Sequence, residues 1–158
     1  MAARRSAGKV QKPKGTGPIG RLKQLAAIPS YFVNHVYYWG DRHTSLFLGP
    51  ERARRIDPLG LSLKAGLIFS LHSDLQVTPV DPIFSIHNAV NRTNRDGELL
   101  GPEERISVLE ALKAYTVNAA YCSFEEKVKG SIEEGKLADF AVLSDNPLAV
   151  KSEAIKDI

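Results

Sequence analysis

The near-continuous apolar run Leu67 to Leu71, cut short by His72-Ser73-Asp74, restricts this chain more than any other feature. An apolar run this short, bounded by Ala65-Gly66 and then by polar residues, is expected to be a strand covered on both faces, as in a parallel sheet. Upstream, Tyr31-Phe32-Val33 is aromatic and β-branched, and reads as a second strand that finishes at Asn34-His35. Between the two lies Tyr37-Tyr38-Trp39-Gly40-Asp41-Arg42-His43, read as a loop dense in groups that stack and hydrogen-bond. Gly49-Pro50-Glu51 then marks a helix start, with proline in the first turn and an acid near the positive dipole end. That helical stretch runs to Lys64 and is expected to break at Asp57-Pro58, because a residue before proline avoids helical geometry. Strand, loop, helix and strand make a βαβ unit with a right-handed crossover. Polar residues just past the carboxyl ends of such strands form sites. His35 on one strand, and His72 with Asp74 on the other, are therefore expected side by side.

The flanks carry simpler signals. Ile19, Leu22, Leu25 and Ala26 have helical spacing, and Pro29 would end that helix. Thr78-Pro79-Val80-Asp81-Pro82 is an extended loop before a short helix from about Ile83 to Val90, which Asp81 could cap. Asn94-Arg95-Asp96-Gly97 is a turn. Ser107-Val108-Leu109-Glu110 has the form of a capping box and opens a helix with Val108, Leu109, Leu112, Tyr115 and Ala119 at core spacing. Gly130-Ser131-Ile132, Glu133-Glu134-Gly135 and Leu137 to Leu143 read as a β-hairpin with a tight turn. No repeat is visible.

Charge divides the chain unevenly. Residues 1–23 hold seven basic groups and no acid, whereas the remainder holds 14 basic and 18 acidic groups. The leader, 1–18, has almost nothing to bury and is expected to be disordered. A nucleic-acid-binding arm is the functional alternative, but no aromatic residue is interleaved for base stacking, so nucleic acid is not the expected partner. No apolar stretch is long enough for a membrane span. The single Cys122 permits no internal disulfide, which fits a reducing, cytoplasmic setting. Apolar residues at 43% and charged residues at 25% match a soluble globular protein, and 158 residues suffice for one core.

Three stretches, in order, resemble the amidohydrolase superfamily and within it amidohydrolase family 3. They are Ser30 to Asp41; Leu71-His72-Ser73-Asp74 with Pro79 and Asp81-Pro82; and Ala114 to Ala120 with Lys129 to Asp139. The match is to the family's C-terminal portion, from about residue 19 to the end. The resemblance implies an α/β fold: the last two strands and helices of a (β/α)8 TIM barrel over 19–126, and over 127–158 a β-hairpin portion of a small composite β-sandwich. Residues 30–35 would be the seventh barrel strand and 66–71 the eighth.

The resemblance further implies a metal-dependent hydrolase acting on carbon–nitrogen bonds other than peptide bonds, in small amide-type substrates. Asp74 would be its catalytic carboxylate and a ligand to a divalent metal, zinc by family habit. His35, Tyr37, Trp39 and His72 are the candidate substrate-binding residues; His35 could equally be structural, Tyr37 and Trp39 could be core, and His72 could instead orient the turn before Asp74. His43 and His87 read as structural or exposed. The superfamily's metal centre opens with a His-x-His pair, yet no two of the four histidines (His35, His43, His72, His87) are separated by one residue. A TIM barrel typically takes ~250 residues, of which this chain would supply roughly a quarter. The chain is therefore expected to be truncated and unable to bind the metal alone, with self-association or a complementing chain as the way to complete it. The alternative is a non-catalytic regulatory or binding protein reusing the fold remnant.

Overall fold

The computed structural model describes residues 17–158, so the leader expected over 1–18 lies outside it except for Gly17 and Pro18. These two are the cap and first residue of helix α1 (Pro18–Gln24), where proline's missing N–H costs nothing. The two expected strands are present and parallel. β1 (Ser30–Tyr31) pairs with β2 (Ser70–Leu71), Ser30 opposite Ser70 and Tyr31 opposite Leu71. Both are shorter than expected. Leu67 and Phe69 are buried while Ile68 is 43% exposed, so burial on both faces is reached only at Ser70–Leu71, where the backbone is paired.

The largest difference lies directly after β1. The stretch 37–43, expected as a loop, is helical: α2 (Asn34–Arg42) runs into a wider π turn (His43–Phe47). Val33, Val36 and Gly40 explain why. They recur at helical spacing and all are buried, Val33 and Val36 completely. Gly40 lets the helix approach its neighbours, since a Cβ there would lie 3.2 Å from Asn94 Cβ and 3.3 Å from Leu100 Cδ2. The rings that suggested a loop occupy the other faces of this helix.

The rest of the crossover breaks where expected. α3 (Pro50–Ala53) and α4 (Leu59–Lys64) are separated by Asp57, in the left-handed region at φ +45°, and Pro58. α5 (Pro82–Asn91) is capped by Asp81, whose Oδ1 accepts from Phe84 N at 2.8 Å. Ser107 caps α6 (Val108–Tyr115), accepting from Glu110 N at 3.2 Å, while the Glu110 carboxylate pairs with Lys113. The helix expected to run on to Ala119 stops at Thr116, whose hydroxyl bonds back to Leu112 O, and restarts as α7 (Val117–Cys122).

The core lies between the strand pair and helices α2, α4, α5 and α6, around Val33, Val36, Leu59, Phe69, Leu71, Ile86 and Ala111. A final 3-10 turn, Ser152–Asp157, returns to this core: Ile155 is fully buried, and Asn91 Nδ2 donates to Ser152 O at 2.7 Å. Over 130–143 the expected hairpin forms a turn without a strand ladder. Lys136 N donates to Glu133 O at 3.2 Å and Leu137 N to Val128 O at 2.8 Å. Ile132, Phe140 and Val142 are 84%, 64% and 97% exposed, so no covering layer rewards extended pairing here. Among the described residues no helix is long and apolar enough to cross a membrane.

Candidate active site

The site is assembled where both strands end. β2 runs directly into His72, Ser73 and Asp74, and Asp74 stands exposed on a turn with φ +52°. Aspartate tolerates that left-handed geometry better than most residues. Its carbonyl accepts from Val77 N at 2.8 Å, closing the turn. Beneath it runs a buried polar chain. Asn88 Nδ2 donates to Asn34 Oδ1 at 2.9 Å, Asn34 Nδ2 donates to Thr78 Oγ1 at 3.1 Å, and the Thr78 hydroxyl donates to Ser73 O. Asn34 is 1% exposed with both amide atoms bonded, so breaking either bond would cost ~1–3 kcal/mol, while Asn88, 0% exposed, is held through its Nδ2. This chain ties α5, the first turn of α2 and the residue before Asp74 into one unit.

His35 is one residue from Asn34 and therefore sits in the first turn of α2, just beyond β1. Its ring lies 4.4 Å from Phe32 and 5.4 Å from Trp39, centroid to centroid. His72 stacks on Phe32 at 5.3 Å with a 21° interplanar angle. Burial pushes the His35 imidazole below its usual pKa; His43 adds to that fall and Asp74 opposes it. The structure thus brings His35, Trp39 and His72 together around Phe32, beside Asp74. It does not bring Tyr37 with them. Tyr37 is two residues, about 200° of helix, from His35, and packs instead on Tyr38, Phe84 and Arg95.

Supporting groups emerge that the sequence reading passed over. Arg92 is fully buried, yet its guanidinium bonds only to carbonyls: Leu100 at 2.9 Å, Asp57 at 3.1 Å and Ile56 at 2.8 Å. Asp57 lies half-buried close by, with its Oδ2 enclosed. Burial raises its pKa to about 7, against the opposing pull of Arg92 and of a hydrogen bond from Phe32 N. Asp57 therefore links the crossover to the end of β1. Ser85, Asn88 and Asn91, each three residues apart in the same helix, were a legible sign of a buried polar stripe. Arg92 gave no such sign.

Among the described residues no group of three or more His, Cys, Asp or Glu side chains is placed to hold a metal ion. His72 lies flat on Phe32, and Asp74 has no imidazole bonded to it. A zinc site takes at least three protein ligands, so these residues do not by themselves fit one.

Comparison with known proteins places this geometry. A model of the amidohydrolase family matches residues 12–158. Protein LONG AFTER FAR-RED 3 of Arabidopsis thaliana is 37% identical over 132 residues, which is 82% of this chain and 22% of that protein. The N-substituted formamide deformylase of Arthrobacter pascens is 33% identical over 120 residues, 76% of this chain and 22% of that protein. The crystal structure of an uncharacterized metal-dependent hydrolase from Pyrococcus furiosus is similar with a TM-score of 0.65 at 25% identity, over 82% of this chain and 26% of that one. The chain spans about a fifth of the length of the curated relatives it matches.

Proposed function

The chain belongs to the amidohydrolase family, and from that premise we propose that it serves in the hydrolysis of carbon–nitrogen bonds other than peptide bonds, in small amides or N-acyl compounds. In this reading β1 and β2 are the seventh and eighth strands of a (β/α)8 barrel, and 127–158 belongs to a small β-sandwich. The observation that carries it is the placement of Asp74, just past the carboxyl end of a parallel strand and clamped from below by the Asn88–Asn34–Thr78 chain. A carboxylate so placed can accept the proton of a water attacking the amide carbonyl carbon. As the C–N bond breaks it returns that proton to the leaving nitrogen. His35, Trp39 and His72 would face the substrate, and Tyr37 would buttress α2 from behind.

The family is one of metal-dependent hydrolases, with zinc the metal proposed here. Its other ligands would come from a complementing chain or from a second copy of this one. Zinc analysis of the purified chain, together with assays on simple N-acyl amides, tests this. The expected result is less than stoichiometric zinc and no turnover by the 158 residues alone. Turnover is expected when a chain carrying the other six barrel strands is supplied, and Asp74→Asn should lower it by at least ~100-fold. Stoichiometric zinc with Asp74-dependent turnover by this chain alone would show that it needs no complement.

A second reading, a non-catalytic binding or regulatory protein, is favoured by the lack of a metal-holding group among the described residues. Turnover in the complemented assay counts against it. Association without turnover, seen by size exclusion, counts for it.

A further inference from the structure

Phe32, His35, Trp39, His43 and Phe47 are three or four residues apart, so one face of α2 and the π turn carries a row of flat rings. The row is continuous: beyond the Phe32–His35 and His35–Trp39 contacts, His35 lies 5.2 Å from His43, and His43 lies 5.9 Å from Phe47. His72, two residues before Asp74, stacks on its inner end. Exposure rises outward, from 8% at Phe32 to 63% at Phe47. The π turn is held by Leu48 N donating to His43 O at 2.9 Å, and π turns of this kind are frequent at functional sites.

Two features point to a ligand on this row. Both ring nitrogens of His43 are buried and have no hydrogen-bond partner among the described residues, although an imidazole carries a donor and an acceptor that burial leaves costly to ignore. The row also contains no lysine or arginine; the cation–π contacts of this helix, from Arg95, go to Tyr37 and Tyr38.

We propose that this ring row is the specificity surface of the hydrolytic site, selecting uncharged amides that bear a flat aromatic group, with His43 as the hydrogen-bonding residue for that group. This rests on the hydrolase reading only for the amide. Phe47, the exposed last ring of the row, is the side chain whose rotation opens His43 to the ligand. Ring-on-ring stacking gains more than area burial alone, which is what separates an aromatic group from a saturated one of equal size.

Trp39 is the only tryptophan of the chain, so its emission reports on the row directly. The full 158-residue chain would be titrated with acetanilide, N-cyclohexylacetamide and acetamide. The expected result is a saturable change in emission, with acetanilide bound about fivefold more tightly than the cyclohexyl compound and acetamide weakest. His43→Ala and Phe47→Ala should each weaken acetanilide by about threefold or more, whereas Asp74→Asn should leave its Kd within about twofold. Phe47→Ala keeps the test decisive if His43→Ala does not fold, because Phe47 packs into no core. No saturable change, equal binding of the cyclohexyl compound, or acetanilide binding unaltered in Phe47→Ala would overturn the proposal. Acetanilide binding by a protein that never turns over any amide, even when complemented, would instead sink the hydrolase reading and leave this surface standing. Hydrolysis with no preference for rings would do the reverse.

Discussion

Residues 30–126 and residues 127–150 carry similar apolar patterns and end in opposite circumstances. The first region encloses a core, in which Phe69 is 1% exposed and Val33, Val36 and Leu59 are fully buried, although Phe47 and Leu75 stay open at its surface. In the second, Val128, Ile132, Leu137, Phe140, Val142 and Leu148 all stay 46% exposed or more. An open cleft of about 530 Å³ separates part of this segment from α6 and α7. Apolar alternation stabilises a strand only when a neighbouring strand takes its hydrogen bonds and a second layer takes its side chains. The 30–71 segment finds both within the chain. The 127–150 segment is anchored at one end by Lys129 N to Glu125 O and by Gly130 close against α7, and at the other by the docked turn around Ile155; its exposed apolar residues between find neither.

The sharpest way to break this contrast uses two glycines with positive φ, one in each region. A Cβ on Gly101 (φ +62°) would lie 1.9 Å from Arg54 O, whereas one on Gly135 (φ +88°) would meet nothing within 4 Å. Gly101→Ala should cost more than ~4 kcal/mol and abolish cooperative unfolding in urea. Gly135→Ala should cost about 1 kcal/mol, from the backbone alone. Equal costs would mean that the two regions are equally packed in solution.

A smaller effect comes from the half-buried Asp57. Its folded pKa, about 7, stands above the ordinary 3.8. Below about pH 4 both folded and unfolded states hold the proton, and its contribution to stability is complete. As pH rises toward 7 the unfolded state releases that proton while the folded state keeps it, so stability falls. The slope should reach about 1.4 kcal/mol per pH unit and vanish above pH 7. Thermal melts of Asp57→Asn across this range should lose that slope; an unchanged profile would place the titration elsewhere.

The smallest effect is expected in the open segment. Val142, 97% exposed, should accept serine within about 0.5 kcal/mol. A loss above ~1 kcal/mol would show that 127–150 is covered in solution, by a second copy or by another chain, and the contrast would then describe only the isolated chain.

Much of the fold was legible before the structure. The two parallel strands, the break at Asp57-Pro58, the caps at Asp81 and Ser107, and the position of Asp74 past the second strand all rest on local rules of geometry or hydrogen bonding. The helix α2 was not legible, because Tyr37, Tyr38 and Trp39 drew attention from the quieter spacing of Val33, Val36 and Gly40. His43 was missed for a related reason. Read alone it is an ordinary histidine, and only the helix through 34–47 places it eight residues along the same face as His35.

By itself, then, the sequence determined the order of elements, the family to which the chain belongs, and Asp74 as the carboxylate past the strand end. These follow from short-range chemistry that any neighbourhood must respect. Only the tertiary structure decided which apolar residues are covered, that the buried Arg92 meets the half-buried Asp57, and that Asn34, Asn88 and Thr78 underpin Asp74. Those outcomes depend on which surfaces meet, and partners 44 and 54 residues apart leave no periodicity in the chain between them.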